Sequence, residues 1–244
     1  MTQSLKHKQV VIIGGSSGFG LRTAELVAEQ GADVLIVGRH DDRLAEARES
    51  LLQFGTEITT QTLDAHDHEA LAQWFAGLQP FDHLVSMIGD VMGGGFLAAD
   101  MTEIRRVMES KFFTNVRIGQ LAASKVKEGG SLVFTSGTGG RAQDACASYI
   151  GNLGINALVE GLAVELAPKA RVNAVSPTWT VTTFWRDMEP DQKEQIRQHF
   201  ADSIPMKRTA EVDEISQAYL FLITNGFITG QAIAVDGGIM LGAL

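Results

Sequence analysis

Cysteine is almost missing from this chain, with Cys146 the single one in 244 residues. One thiol excludes an internal disulfide and any metal site built from several thiolates, and Cys146 reads as a small buried apolar residue. An excess of positive charge is also missing. Lys and Arg number 20 against 29 Asp and Glu, for a formal net charge of -9. Binding to phosphate backbones needs clustered cations, so nucleic acid is not an expected partner. Long hydrophobic runs are absent too, since no segment approaches the ~20 apolar residues of a membrane helix. The opening MTQSLKHKQVVIIGG has only VVII as its apolar run and leads straight into glycines, as a first strand does and a signal peptide does not. The expectation is a cytoplasmic protein with no membrane partner.

What is present is an ordinary globular composition, 45% hydrophobic and 20% charged, which can bury a large core. Short β-branched runs recur at QVVIIG, ADVLIVG, EITTQTLD, HLVSMIG, SLVFTSG, RVNAVSP and AIAVDGG, separated mostly by helix-like segments. This rhythm predicts an α/β fold of Rossmann type: a doubly wound sheet of about seven parallel strands with helices on both faces. VVII and VLIV are apolar at every position, as strands covered on both faces are. No linker interrupts the pattern, so residues 1–244 are expected to form one domain. The stretch 178–203, rich in Thr, Trp, Met and charge directly after a strand, reads as a lid over a site. It carries no readable specificity code.

Gly14, Ser16, Ser17, Gly18, Phe19 and Gly20 lie in a turn between the first strand and a helix, with glycines spaced GxxxGxG. Glycine lets the backbone turn sharply and approach a pyrophosphate whose charge the helix N-terminus stabilises. The second strand ends VLIVGRH, where an acid would usually hold a free ribose hydroxyl. Arg39 stands there instead. A guanidinium can pair with a 2′-phosphate, which favours NADP over NAD, while a solvated arginine at a strand end is the plain alternative.

From these residues the chain resembles the short-chain dehydrogenase/reductase family along essentially its whole length. Further motifs are similar: Leu63-Asp64 at an adenine-contacting strand end, Asn173 to Pro177 before the substrate loop, and Ile228 to Gln231 and Val235 to Gly238 near the C-terminus. The resemblance implies cofactor contacts at Asp64, Ala65, Gly89, Pro177 and Thr182, with Thr182 holding the nicotinamide carboxamide. It also implies a small-molecule substrate and a homodimer or homotetramer. The apolar end Ile239 to Leu244 suits burial between subunits.

The family's catalytic pattern is a serine, a tyrosine with a lysine four residues later, and an asparagine on an earlier helix. The phenol protonates the carbonyl oxygen as hydride arrives, and the lysine lowers its pKa. Counted forward from Ser136, Tyr149 is the tyrosine, but Leu153 then stands at the lysine position. Counted back without a gap from Gly161 to Pro168, Ser148 and Asn152 take the two positions, and Gly137 takes the serine's. Residues four apart share a helix face, so Ser148, Asn152 and Asn156 form one polar stripe. That favours the gapless register, with Tyr149 a bystander whose hydroxyl lies outside the cleft. Lys111 falls at the asparagine position, with Asn115 its rival one turn on. The candidate catalytic residues are therefore Lys111, Ser148 and Asn152, with Ser136 and Tyr149 belonging to the other register.

His66 and His68 read as a solvated loop rather than metal ligands. Trp74-Phe75, Phe112-Phe113 and Phe221 read as core or subunit contact. The resulting expectation is an NADP-dependent oxidoreductase that reduces a small carbonyl compound with an atypical proton donor. The alternative is a catalytically silent NADP-binding sensor or scaffold.

Overall fold

The structure, a computed structural model, describes residues 3–242. The β-branched runs form seven strands: β1 Gln9–Ile13, β2 Asp33–Gly38, β3 Ile58–Thr62, β4 Phe81–Ser86, β5 Val126–Thr135, β6 Ala170–Pro177 and β7 Ala232–Val235. All pair in parallel in one sheet of order β3-β2-β1-β4-β5-β6-β7.

The period-two alternation of a strand sorts side chains to two faces. Val10 and Ile12 of β1 join a core with α1 (Gly18–Glu29), α2 (Asp41–Leu51) and α8 (Val212–Thr224). Val11 and Ile13 join a second core with α3 (His68–Gly77), α5 (Thr114–Lys125) and α6 (Ala142–Leu166). β4 is buried at every residue, as a central strand covered on both sides must be.

Three features position the site. The chain runs outward from β1 to β3 and then returns to β4, so a crevice opens beyond the carboxyl ends of β1 and β4. Helix α4 (Met101–Met108) does not stop at α5 but continues into it through a π-helical turn, Glu109–Phe113. Helix α6 is broken near its start, where Ala145 and Cys146 leave helical geometry. After β6 the expected lid segment holds a 3-10 turn, Thr183–Trp185, and helix α7, Pro190–Ser203. Among the described residues no helix is long and apolar enough to cross a membrane. Of the aromatic residues expected in core or contact, Phe75 is buried, whereas Phe113 and Phe221 are exposed. Ala243 and Leu244, the end of the apolar tail, lie outside the described residues.

Candidate active site

A cleft of about 1820 Å³ lies over the carboxyl ends of the strands. Every residue proposed from sequence for cofactor or catalysis lines it, except Asn115, the rival of Lys111. That volume exceeds the ~300–1,000 Å³ of a typical ligand pocket, leaving room for a dinucleotide and a second molecule.

The glycine loop forms one end. Gly14 and Gly18 have φ of 86° and 53°, a region costly for other residues. A Cβ on Gly20 would collide with the Gly14 carbonyl oxygen, so the loop closes this tightly only with glycine there. Helix α1 starts at Gly18 with no side-chain cap and no acid in its first turn. Its first N–H groups are left for an anion, which suits a pyrophosphate.

Arg39 follows β2 on the same side, exposed at the cleft wall with His40 and Arg43. Among the described residues Arg39 makes no side-chain hydrogen bond or ion pair. Asp64 stands beside it. Burial pushes its carboxyl pKa up, but hydrogen bonds from the His66 N–H (3.1 Å) and ring (2.9 Å) and the nearby Arg39 charge leave it below the usual value. His66 is no free loop residue, since its Nε2 also meets the Ser110 hydroxyl at 2.9 Å. His68 Nε2 lies 3.3 Å from the Thr114 hydroxyl, so both histidines tie the segment after β3 to the π turn. Thr182 faces the glycine loop, its Cβ 3.6 Å from where a Gly18 Cβ would sit. The residues present fit a nicotinamide dinucleotide, whose phosphates the uncapped α1 N-terminus and the glycine loop would suit.

The other end of the cleft separates the catalytic candidates by what each is already bonded to. Ser148 accepts from Met92 N–H at 2.6 Å and donates to Met92 C=O at 3.1 Å, which anchors α6 to the segment after β4. Ser136 donates to Asn156 Oδ1 at 2.8 Å and to Asn152 C=O at 3.2 Å. Asn115 is fully buried. It accepts from Ser86 Oγ at 2.6 Å and donates to Ile88 C=O at 3.0 Å and Lys111 C=O at 2.7 Å, so its amide braces the π turn. It does not line the cleft.

Lys111 differs from these. It is 5% exposed, lines the cleft, and its ammonium has no hydrogen bond or ion pair among the described residues. Burial pulls its pKa down to about 8, against a smaller opposing pull from Asp90. Two glycines admit its stem: a Cβ on Gly151 would lie 2.9 Å from Lys111 Cδ, and one on Gly89 would lie 3.5 Å from Nζ. Asn152 is the other group with unused capacity, its Oδ1 buried without a partner. Its amide fills the space above Gly137, where a Cβ would meet Nδ2 at 3.0 Å. A serine at 137 and an asparagine at 152 would compete for one volume.

Tyr149 is half-buried and lines the cleft as well, so as a residue it does not stand clear of the cavity as expected. Its helix face also carries Leu153, which is 48% exposed. Tyr149 thus sits where the cleft meets the outer surface of α6. Sequence reasoning missed Thr138, Thr178 and Trp179, which line the cleft with buried polar atoms lacking partners. No local pattern marks them, because only the fold brings the loop after β5 beside the lid.

Known proteins resemble this chain over nearly its whole length. A family model described as enoyl-(acyl carrier protein) reductase matches residues 14–240. The vibriobactin-specific 2,3-dihydro-2,3-dihydroxybenzoate dehydrogenase of Vibrio cholerae is 30% identical, over 98% of this chain and 98% of its own. The short-chain dehydrogenase/reductase malC of Malbranchea aurantiaca is 29% identical over 97% and 96%. The solved structure of that MalC reductase/Diels-Alderase superposes with a TM-score of 0.84 over 98% of each chain, at 26% identity. A small-chain dehydrogenase solved with NADPH has a TM-score of 0.80 and 27% identity over 97% of this chain and 100% of its own. The chain belongs to the short-chain dehydrogenase/reductase family of oxidoreductases.

Proposed function

We propose that this protein is a single-domain, NADP-dependent reductase of a small carbonyl compound, in which Lys111 supplies the proton. An ammonium buried in the cleft, with no hydrogen bond or ion pair among the described residues and a pKa near 8, carries the reading. Perturbed groups of this kind concentrate at functional sites. Bound NADPH would supply the hydride. Lys111 then gives one proton to the carbonyl oxygen as the carbon is reduced, becomes a neutral amine, and regains its proton from solvent. A donor with a pKa near the working pH suits both halves of that cycle. Asn152 steadies the oxygen by donating from its Nδ2, not through the unpartnered Oδ1, and Ser148 and Ser136 hold α6 in place.

The preference for NADP rests on the unpaired Arg39, with Arg43 behind it, and is supported by the relative solved with NADPH. The experiment is turnover of ketones with NADPH stereospecifically deuterated at C4, comparing wild type with Lys111→Met. Deuterium in the alcohol, lost with the variant, is expected. Tight NADP binding with no transfer to any ketone would instead support a silent cofactor-binding protein.

A further inference from the structure

We infer that Ser110, His66 and Asp64 form a second reactive site in the cleft, in which Ser110 is a nucleophile that takes the acyl group of a small activated ester. This goes beyond the reductase reading and uses no hydride.

The first observation is a chain of hydrogen bonds. Asp64 Oδ1 accepts from the His66 ring Nδ1 at 2.9 Å and from the His66 backbone N–H at 3.1 Å, and His66 Nε2 meets the Ser110 hydroxyl at 2.9 Å. Burial favours the neutral acid at Asp64, but the bonds from His66 and the Arg39 charge outweigh it and keep the carboxylate ionised. A carboxylate can only accept, so Nδ1 carries the ring hydrogen of the neutral imidazole and Nε2 is left bare. The Ser110 hydroxyl therefore donates to Nε2. A hydroxyl bonded to a base, with that base oriented by a third group, is the arrangement that activates a serine.

The second observation is a contrast with the other helical hydroxyls. Ser50, Ser124, Ser203 and Ser216 each donate to a carbonyl of their own helix, the usual habit of a serine there. Ser110, inside the π turn, makes no such bond, and among the described residues its hydroxyl is committed to His66 alone. His68 shows the inert arrangement one turn away. Its Nε2 meets the Thr114 hydroxyl at 3.3 Å and Glu109 at 3.4 Å, no carboxylate among the described residues holds its Nδ1, and Thr114 is fully buried away from the cleft.

The third is access. Asp64, His66 and Ser110 all line the cleft. Ser110 is only 3% exposed, which admits a small acyl group and turns away a bulky one. In the step, Ser110 Oγ bonds to the ester carbonyl carbon as its proton passes to His66 Nε2. The bond from that carbon to the leaving oxygen then breaks, and the leaving oxygen takes the proton from His66 and departs as the alcohol. The acyl group stays on Ser110 as an ester. Asp64 is a positioning residue, which fixes the imidazole tautomer and steadies the imidazolium while the proton rests there.

The test is incubation of the full chain, without cofactor, with p-nitrophenyl acetate. A burst of one p-nitrophenol per chain is expected, with an acetyl ester located at Ser110 by peptide mass spectrometry and removed by hydroxylamine. Ser110→Ala should abolish the burst. His66→Ala should slow it at least about a hundredfold, the usual contribution of a general base. Asp64→Asn should slow it about tenfold or more with its amplitude unchanged, and Asp64→Glu should recover most of the rate. The side chains of His66 and Asp64 reach solvent, so these variants decide the matter even if Ser110→Ala fails to fold. Release no faster than in buffer, a burst that survives Ser110→Ala or keeps its rate in His66→Ala, or a hydroxylamine-stable acetyl on Lys111 instead would overturn the site. Deuterium transfer from the labelled cofactor tests the reductase reading separately, so either can fail without the other.

Discussion

Lys111 lies against Gly151 so closely that a single methyl group there would stand 2.9 Å from Lys111 Cδ. Gly151 is one residue before Asn152 on α6, and Lys111 sits in the π turn between α4 and α5. The extra residue of a π turn shifts side chains out of ordinary helical register, and such turns recur at functional sites. Here the turn and the glycine together let a lysine stem run under α6 and end in the cleft.

Lys111→Met should abolish most reduction, by at least about a hundredfold, the usual contribution of a general acid. In the wild type the rate of reduction should fall as pH rises through about 8, where Lys111 loses its proton, and the variant's residual rate should lack that limb. Stability responds with the opposite sign. The folded pKa is about 8 and the ordinary value 10.5, so between them the unfolded chain holds the extra proton. Wild-type stability should therefore rise by about 3 kcal/mol across that window, and the variant's should not. Denaturant unfolding at several pH values checks this.

Gly151→Ala should displace the lysine without removing it. The backbone there is helical, and alanine favours a helix by roughly 1 kcal/mol over glycine, so any loss reflects the clash. We expect a fall in kcat of about tenfold or more with NADP affinity nearly unchanged. Equal losses in kcat and cofactor affinity would mean that α6 itself had moved.

Arg39→Ala should weaken NADP binding about tenfold or more and leave NAD binding nearly unchanged. A guanidinium–phosphate pair contributes about 1.5–3 kcal/mol, and Arg39 makes no side-chain hydrogen bond or ion pair among the described residues, only a through-space interaction with Asp64. Fluorescence titration with both cofactors decides it, and matching losses would make Arg39 structural.

Asp82 provides a stability prediction independent of the site. It accepts from Lys8 Nζ and Lys127 Nζ at 2.9 Å and from Gln9 N–H at 3.0 Å. Burial pushes its pKa up, but these three bonds outweigh burial and hold it at about 2. Its stabilisation should be complete above about pH 4 and fade as pH falls toward 2. Asp82→Asn should cost roughly 1–3 kcal/mol at neutral pH and flatten that acid limb.

How much of this was legible in the sequence follows from the range of each interaction. VVII, VLIV and GGSSGFG act within a few residues, so all seven strands and the glycine loop could be read locally. The π turn could not, because MESKFFTN looks like ordinary helix and the turn is braced by Asn115 through Ser86 and Ile88. The Ser148 hydroxyl was equally hidden, since its partner Met92 lies 56 residues away. His66 looked solvated for the same reason, its second partner being Ser110. Residue types showed many of the groups that reach the cleft, but not Thr138, Thr178 or Trp179, and only distances showed which are already bonded.

The last expectation concerns Tyr149, the residue that an ungapped count removes from catalysis and a forward count restores. It lines the cleft where α6 turns outward, sharing its face with exposed Leu153. Ser136, which would have to work with it, has its hydroxyl donated to Asn156 and Asn152 instead. Tyr149→Phe should therefore cost at most about tenfold in reduction, far less than Lys111→Met, because losing a phenol from the rim of the cleft leaves the proton source in place. The pH profile separates the two residues further. With Lys111 as donor, Tyr149→Phe retains the fall in rate near pH 8. A loss of a thousandfold in Tyr149→Phe, with no fall in rate near pH 8 in the wild type, would assign the proton to Tyr149 and the shifted register to the family's pattern.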